Sequence, residues 1–274
     1  MMDPITENDL PFFKRFYIYQ KERFPFAGNI VLIGAFTFSA LSYSRISRGV
    51  AGFVSLQTYL IGVLTTVTLF FLVRVFDEHK DAEDDALYRQ ELPVPRGLMQ
   101  LKELKTAGII AIIFQVVINL LFVPKMLILY LVAFAYLCLM GKEFFVGEWL
   151  KKHQMTYVFS HMLIIPLVDT YASGLDWLQE GAAPPRGLLF FFAVSFMNGI
   201  VLEFGRKIRT PEKEKAGVIT YSGLYGPNKA CMYWILSLLC GSDPVTAPVA
   251  FLELCLLRRH RQQLRGRCRS RWQR

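Results

Sequence analysis

The sequence has little that would support a soluble protein, a β-barrel or a disulfide-linked protein. Its apolar runs do not alternate with polar residues, as the strands of a membrane barrel do. Its five cysteines are scattered without metal-binding spacing, and we interpret them as buried thiols. The first 25 residues are charged and aromatic and lack the apolar core of a cleavable signal. We therefore expect the first membrane-spanning helix to act as the targeting signal.

Long apolar blocks separated by short charged connectors dominate the chain. It has 274 residues, 53% of them hydrophobic, and a mean hydropathy of +0.34. A helix needs about 20 apolar residues to cross a bilayer core about 30 Å thick. The pattern predicts an all-α, polytopic transmembrane helical bundle of seven to nine helices. The eight candidate segments are Phe26–Tyr43, Val54–Phe76, Thr106–Phe122, Met126–Met140, Thr156–Tyr171, Gly187–Phe204, Ala230–Cys240 and Val245–Leu257.

The basic residues favour one orientation in the membrane, because lysine and arginine mark the cytosolic side. With the N-terminus inside, the inner segments carry 18 of these residues and the outer connectors carry 4. The long, charged inner loops indicate that the chemistry faces the cytosol. The net charge of +9 does not indicate nucleic-acid binding, because topology and a basic tail account for it. We expect one membrane domain over residues 1–257 and a disordered cytosolic tail over residues 258–274.

An acidic motif follows the second apolar segment. Asp77, Asp81 and Asp85 are spaced by four, so they share one face if the helix continues. Three like charges on one face repel each other, and a divalent cation would offset that cost. Magnesium is commonly held by carboxylates, waters and substrate phosphates. The spacing therefore predicts a Mg²⁺ site at the end of this helix.

Two further features of this motif bear on the magnesium prediction. Glu78 and Asp84 lie elsewhere around the helix and can supply a second set of ligands. The alternative interpretation is a solvated acidic helix end in which Lys80 pairs locally with its neighbours. We favour the metal site because charge at the end of an apolar helix is expensive and usually functional.

A proline turn that carries arginines follows the acidic motif. Pro93 and Pro95 stop any helix, and Arg89 and Arg96 flank the turn. The planar guanidinium of arginine can donate two hydrogen bonds to phosphate oxygens. Carboxylates for a metal, followed by arginines for phosphate, predict a diphosphate-binding site.

This segment resembles the first aspartate motif of the UbiA superfamily of intramembrane prenyltransferases, N-D-x-x-D-x-x-x-D followed by N-R-P-x-R-P-(I/V)-P-S-G. Asp77 stands where the family has asparagine, and Asp81 and Asp85 match the aspartates that follow. The turn is matched at Arg89, Pro93, Pro95 and Gly97 and departs from the motif at Tyr88, Leu92 and Arg96. The resemblance implies that Arg96 replaces the phosphate contact that Leu92 lacks.

The segment E-F-G-R-K-I-R-T-P-E, after the sixth apolar block, resembles the family's second motif in part. Gly217 and Thr220 fit the ending of that motif, but basic residues replace its aspartates. The resemblance implies that Glu203 binds magnesium or orients Arg206, and that Asn198 adds a ligand. The further diphosphate-binding residues would be Arg206, Lys207 and Arg209. The alternative is an ordinary basic cytosolic loop.

The second motif is similar to that of a divergent UbiA branch that includes fungal membrane-bound terpene cyclases. The resemblance implies magnesium-dependent ionisation of farnesyl diphosphate and its cyclisation to a sesquiterpene of the bergamotene type. In a eukaryote, the reaction would occur at the endoplasmic reticulum membrane. Spacing and composition do not distinguish this reaction from prenyl transfer to an aromatic or quinone-precursor acceptor. A non-catalytic transporter or scaffold is the third alternative, and the oligomeric state stays open.

Overall fold

The computed structural model describes residues 10–214 and 217–242, and all regular structure in these residues is helical. The all-α prediction is therefore confirmed for the described part of the chain. Its α-helices are α1 (Phe12–Arg23), α2 (Phe26–Ser47), α3 (Leu56–Lys80), α4 (Ala82–Tyr88), α5 (Leu101–Phe122), α6 (Leu127–Gly141), α7 (Gly147–Lys152), α8 (Gln154–Met162), α9 (Ile164–Trp177), α10 (Leu188–Arg206), α11 (Tyr221–Tyr225) and α12 (Pro227–Ser242).

Six helical segments are long and apolar enough to cross a membrane, and they coincide with the first six predicted segments. The six are Phe26–Ser47, Leu56–Lys80, Leu101–Phe122, Pro124–Gly141, Gln154–Trp177 and Leu188–Arg206. The chain is therefore an integral membrane protein. The seventh predicted segment lies in α12, which is not among these six in the described residues. The eighth segment and the basic tail lie outside the described residues, so a count of seven to nine spanning helices is not confirmed.

The chain divides into two compact units. Unit 1 comprises Met1–Leu188 with Lys215–Val218, and unit 2 comprises Leu189–Glu214 with Ile219–Arg274. The prediction of one membrane domain over residues 1–257 stays a prediction.

Helix α3 lies at the centre of unit 1, where it packs against α2, α5, α6 and α9. It begins at a cap in which the Ser55 hydroxyl accepts a hydrogen bond from the backbone N–H of Thr58. A Cβ atom at Gly62 would clash with the side chain of Leu175 on α9, so glycine permits the close approach of these helices. The central position of α3 fixes the place where its acidic end emerges.

A buried polar network crosses the interior of unit 1 and joins α3, α5, α6 and α9. The Asn119 amide donates to Thr65 Oγ1 at 2.9 Å and accepts from the Tyr171 hydroxyl at 2.7 Å. The Tyr130 hydroxyl donates to Gln115 Oε1 at 2.8 Å. Polar side chains in membrane helices face the bundle interior and bond across it. The network therefore joins four helices inside the unit.

Unit 2 is built on aromatic contacts between α10, α11 and α12. The ring of Phe204 lies 4.4 Å from that of Tyr221, and both residues are buried. The Trp234 indole donates to the backbone carbonyl of Val201 at 3.1 Å. Thr220 caps α11, because its Oγ1 accepts from the backbone N–H of Gly223. These contacts support the end of α10, where Glu203 lies.

Candidate functional site

The helix that carries Asp77 does not continue through all three aspartates, because α3 and α4 are separated by a bend at Asp81. This residue lies between α3 and α4, as the C-cap of the first and the N-cap of the second, with φ −91° and ψ 3°. The backbone N–H of Asp81 still donates to the Asp77 carbonyl at 2.9 Å, and that of Asp85 to the Asp81 carbonyl at 2.8 Å. The three aspartates therefore follow each other at intervals of one helical turn.

The three aspartates differ in exposure. The side chains of Asp77 and Asp81 are 28% and 34% exposed, and that of Asp85 is 3% exposed. Burial raises the pKa of Asp85, although the nearby guanidinium of Arg89 opposes the shift. Arg89 lies 2.7 Å from the Asp85 carboxylate, so the structure joins these two predicted site residues. Asp77 and Asp81 are the more accessible pair.

Basic side chains of the protein already offset the repulsion between Asp77 and Asp81. A nitrogen of Arg74 lies 3.3 Å from the Asp77 carboxylate. The ammonium of Lys80 lies 3.8 Å from Asp77 and 3.9 Å from Asp81. These contacts agree in part with the alternative interpretation of the motif, in which Lys80 pairs locally with its neighbours. These separations exceed the usual length of a charge-assisted hydrogen bond, about 2.7–2.9 Å, so the pairs are loose.

Glu78 has a structural partner on another helix. Its side chain is 1% exposed, and its Oε1 lies 2.6 Å from Arg23 Nε on α1 and 3.4 Å from Arg74 Nε. Asp84, its companion in the predicted second ligand set, is exposed. Arg23 and Arg74 were not predicted to take part in the site. The signal for Arg74 is its spacing, because it precedes Asp77 by three residues and Glu78 by four.

The proline turn adopts the predicted non-helical structure, but Arg96 is directed to α1. Its guanidinium donates to both carboxylate oxygens of Glu22, each at 2.8 Å, and to the Glu91 carbonyl at 2.9 Å. The hydrogen bonds from Arg96 lower the pKa of Glu22. Gly97 has φ 84°, a left-handed conformation that glycine adopts at no steric cost. The observed contacts of Arg96 thus hold the turn against α1, and its phosphate contact stays a prediction.

In unit 2, Glu203 holds two of the predicted basic residues. Its side chain is 4% exposed, and its carboxylate pairs with Arg206 Nε and, at 2.8 Å, with Lys207 Nζ. The Arg206 side chain is 62% exposed. Glu203 therefore contacts Arg206, and the roles expected of the two residues stay predictions. The two predicted halves of the site belong to different units.

The remaining predicted residues of unit 2 are not brought to Glu203 by side-chain contacts. Asn198 is exposed, whereas Glu203 is buried. At about 100° per residue, a spacing of five places these two side chains about 140° apart on α10. Arg209 is half-buried, and its backbone N–H donates to Ser222 Oγ at 2.8 Å. Their roles as metal ligand and phosphate ligand stay predictions.

The oxygens of Asp77 and Asp81 fit a cation, because both carboxylates lie within 4 Å of the Lys80 ammonium. Oxygen donors are those that magnesium prefers. Among residues 10–214 and 217–242, no group of three histidine, cysteine or acidic side chains is arranged to hold a metal ion by itself. A magnesium ion here would therefore need oxygens from water and from substrate phosphates to complete its shell.

An open apolar cleft of about 680 Å³ lies between α1, α3 and α5 in unit 1. Its lining includes Phe12, Phe13, Phe16, Phe26, Phe71 and Phe114. At about 100° per residue, Phe71 lies about 120° around α3 from Asp77. The cleft is therefore separate from the face that carries Asp77, and we do not assign it to the acidic site.

Two candidate segments are thus described, each within its own unit: Asp77–Arg89 in unit 1 and Glu203–Arg209 in unit 2. The assignment of each segment depends on its own residues and on the motif resemblance. No family model, curated protein or solved structure matches the chain.

Proposed function

We propose that the chain is an intramembrane, magnesium-dependent terpene cyclase of the UbiA type, with its site facing the cytosol. Its substrate would be farnesyl diphosphate and its product a sesquiterpene of the bergamotene type. The observation that carries the proposal is the placement of Asp77, Asp81 and Asp85 on successive turns at the end of a membrane-spanning helix and just after it. Charge at this position is costly, so its presence favours a function.

The first step would be cleavage of the allylic carbon–oxygen bond of the substrate. The diphosphate leaves with the electron pair, and an allylic cation remains. Bound Mg²⁺ would neutralise part of the charge that grows on the leaving group. Lys80 and Arg89, which already lie beside the aspartates, would donate hydrogen bonds to phosphate oxygens. Two double bonds of the substrate would then capture cationic carbons in turn, forming the two carbon–carbon bonds of a bicyclic skeleton, and loss of a proton would complete the reaction.

The end of α10 offers a second source of positive charge. Glu203 is buried and aligns Arg206, which keeps most of its surface exposed. A buried carboxylate that fixes an exposed guanidinium presents a preorganised cation, and preorganised charges stabilise a growing negative charge well. This arrangement supports the role predicted for Arg206. It also explains how a mixed acidic and basic motif can replace a run of aspartates.

Prenyl transfer is the second candidate, because it shares the ionisation step. The two reactions differ in what captures the cation. In the cyclase, a double bond of the substrate does so, whereas the transferase needs a bound aromatic or quinone-precursor acceptor. We prefer the cyclase on the resemblance of the segment around Glu203, Arg206 and Lys207.

The test uses the full chain in microsomes, incubated with farnesyl diphosphate and Mg²⁺ without an acceptor. We expect a volatile hydrocarbon in the headspace and its loss when Mg²⁺ is chelated. Asp81→Asn should abolish it, whereas Glu83→Gln, which removes a charge from the exposed start of α4, should not. Turnover that requires an added aromatic acceptor would contradict cyclisation in favour of transfer. Absence of any turnover, with diphosphate binding unchanged in Asp81→Asn, would contradict the enzymatic function.

A further inference from the structure

Lys80 is the last residue of α3, and its ammonium lies among carboxylates of the candidate metal site. The side chain is 13% exposed. Its Nζ is 3.8 Å from Asp77, 3.9 Å from Asp81 and 4.0 Å from Glu143. It thus occupies the place of a cation between the two accessible aspartates. A divalent ion bound to both carboxylates would repel this ammonium at short range.

Tyr157 on α8 holds the ammonium in this position. Lys80 Nζ donates to the Tyr157 hydroxyl at 2.8 Å and lies 5.2 Å from the centre of the ring. The Tyr157 ring stacks on His161 with centroids 3.9 Å apart. The hydroxyl is the shortest polar contact of the ammonium, whereas the carboxylates are about 1 Å further away. Lysine has a flexible four-carbon stem, so the ammonium can move while this anchor is kept.

Glu143 reaches Lys80 from a segment with unusual backbone geometry. Glu143, Phe144 and Phe145 have φ values of 48°, 53° and 59°, a left-handed turn without glycine. Residues with a Cβ atom rarely adopt such a conformation, because the Cβ comes too close to the following carbonyl oxygen. Phe144 stabilises it through contacts with the rings of Tyr136 and His161. Strained backbone of this kind occurs at functional sites, where the surrounding structure holds it.

We propose that Lys80 is an internal counter-ion that occupies the cation position between Asp77 and Asp81 until a divalent metal displaces it. The displaced ammonium then binds the diphosphate directly. This inference deepens the proposed function and depends on it. In the free protein, the lysine neutralises the aspartates and so weakens metal binding. With the diphosphate present, the same ammonium contributes a bond to phosphate oxygen. Lys80 would thus couple metal binding to substrate binding.

The test measures metal and diphosphate binding without turnover. The full chain in lipid nanodiscs is titrated with Mn²⁺, followed by electron paramagnetic resonance, with and without inorganic diphosphate. Lys80→Met removes the competing charge, so it should tighten Mn²⁺ binding in the absence of diphosphate by about fivefold or more. The same variant should bind diphosphate, at saturating Mn²⁺, about tenfold more weakly because a charge-assisted hydrogen bond is lost. Lys102→Met, which removes an exposed lysine on α5, should change neither value.

Opposite shifts in Lys80→Met are the signature of the proposal. Unchanged or weaker Mn²⁺ binding in that variant would overturn it, and so would unchanged diphosphate binding. Lys80→Gln, which still offers a donor to Tyr157, provides the same comparison where the methionine variant does not fold. Asp81→Asn separates the two proposals. Wild-type Mn²⁺ binding that is insensitive to Asp81→Asn would overturn the metal site and this inference together, whereas Asp81-dependent binding that ignores Lys80 would overturn the inference alone.

Discussion

Unit 1 carries two clusters of charged residues near opposite ends of α3, and they are built differently. The first, which we name the α2–α9 clasp, joins the end of α2 to the end of α9 next to the start of α3. The second, the aspartate cluster, comprises residues of the last turns of α3 and of the segment that follows it, including α4. The clasp consists of Ser44, Arg45, Arg48, Asp176 and Glu180, and the aspartate cluster consists of Arg74, Asp77, Lys80, Asp81, Asp85 and Arg89.

The charged side chains of the clasp are joined by short hydrogen bonds. Asp176 is fully buried and accepts from Ser44 at 2.7 Å, Arg48 at 2.8 Å and Arg45 at 3.0 Å. Arg45 also donates to the backbone carbonyls of Ala51 and Gly52. In the aspartate cluster, by contrast, the ion pairs of Asp77 and Asp81 measure 3.3 to 3.9 Å. A saturated buried network holds helices together, whereas a loosely paired one keeps the capacity to bind a ligand.

The largest expected effect is on stability, from breaking the clasp. Asp176→Ala leaves two arginines without their buried partner, and removal of one member of a buried ion pair costs about 3–5 kcal/mol. Thermal unfolding in detergent, followed by size-exclusion chromatography, would measure the loss. The matched control is Asp81→Ala, which removes a partly exposed aspartate and should cost less than about 1 kcal/mol. Equal destabilisation by the two substitutions would contradict the contrast between the clusters.

The second effect is on activity, and we expect it from the aspartate cluster rather than from the clasp. Asp81→Asn should lower the initial rate of farnesyl diphosphate turnover by about 10²–10³-fold, because stabilisation of the leaving group is lost. The unfolding midpoint should stay close to that of the wild type. Rates at saturating Mg²⁺ in nanodiscs would be the measurement. A variant that retains more than about a third of the wild-type rate would remove the aspartate cluster from catalysis.

Glu78 sharpens the comparison, because it is a buried, tightly paired residue within the acidic segment. Glu78→Gln should destabilise unit 1 by about 2 kcal/mol, since it removes the carboxylate that pairs with Arg23 and leaves Arg74 with Asp77 as its carboxylate partner. A double-mutant cycle with Arg23→Gln would measure the coupling from unfolding midpoints. Coupling near zero would mean that this pair does not hold α1 to α3.

The sequence predicted the features that depend on local pattern. Six apolar runs of about 20 residues form helices of the length that is needed to cross a bilayer. The relation of the aspartates on successive turns follows from helical periodicity. The contact between Arg89 and Asp85 fits the same periodicity, but it was not predicted. The proline turn after α4 follows from the restrictions that Pro93 and Pro95 place on the backbone.

Features that depend on helix packing could not be predicted. The Arg23–Glu78 pair joins residues 55 positions apart, and the Arg45–Asp176 pair joins residues 131 positions apart. Neither partner carries a local signal for the other. The left-handed turn at Glu143 is a further example, since glutamate and phenylalanine do not favour positive φ. Such contacts decide which charges stabilise the fold and which remain accessible, a distinction that composition does not contain.

The smallest expected effect concerns Glu180, the partly exposed carboxylate of the clasp. The dependence of this effect on pH tests the comparison independently. Hydrogen bonds from Arg48, and then from Arg45, lower the pKa of Glu180. A carboxyl group with a lowered pKa in the folded state stabilises the fold above its ordinary value of about 4.3, and this contribution disappears as the pH falls through the lowered pKa. The Glu180 side chain is 44% exposed, so solvent screening limits the contribution to less than about 1 kcal/mol. Unfolding midpoints measured from pH 7 to pH 3 should therefore fall slightly more for the wild type than for Glu180→Gln. If the unfolding midpoints of the wild type and of Glu180→Gln fall in parallel, Asp176 alone holds the two arginines and Glu180 adds no stability.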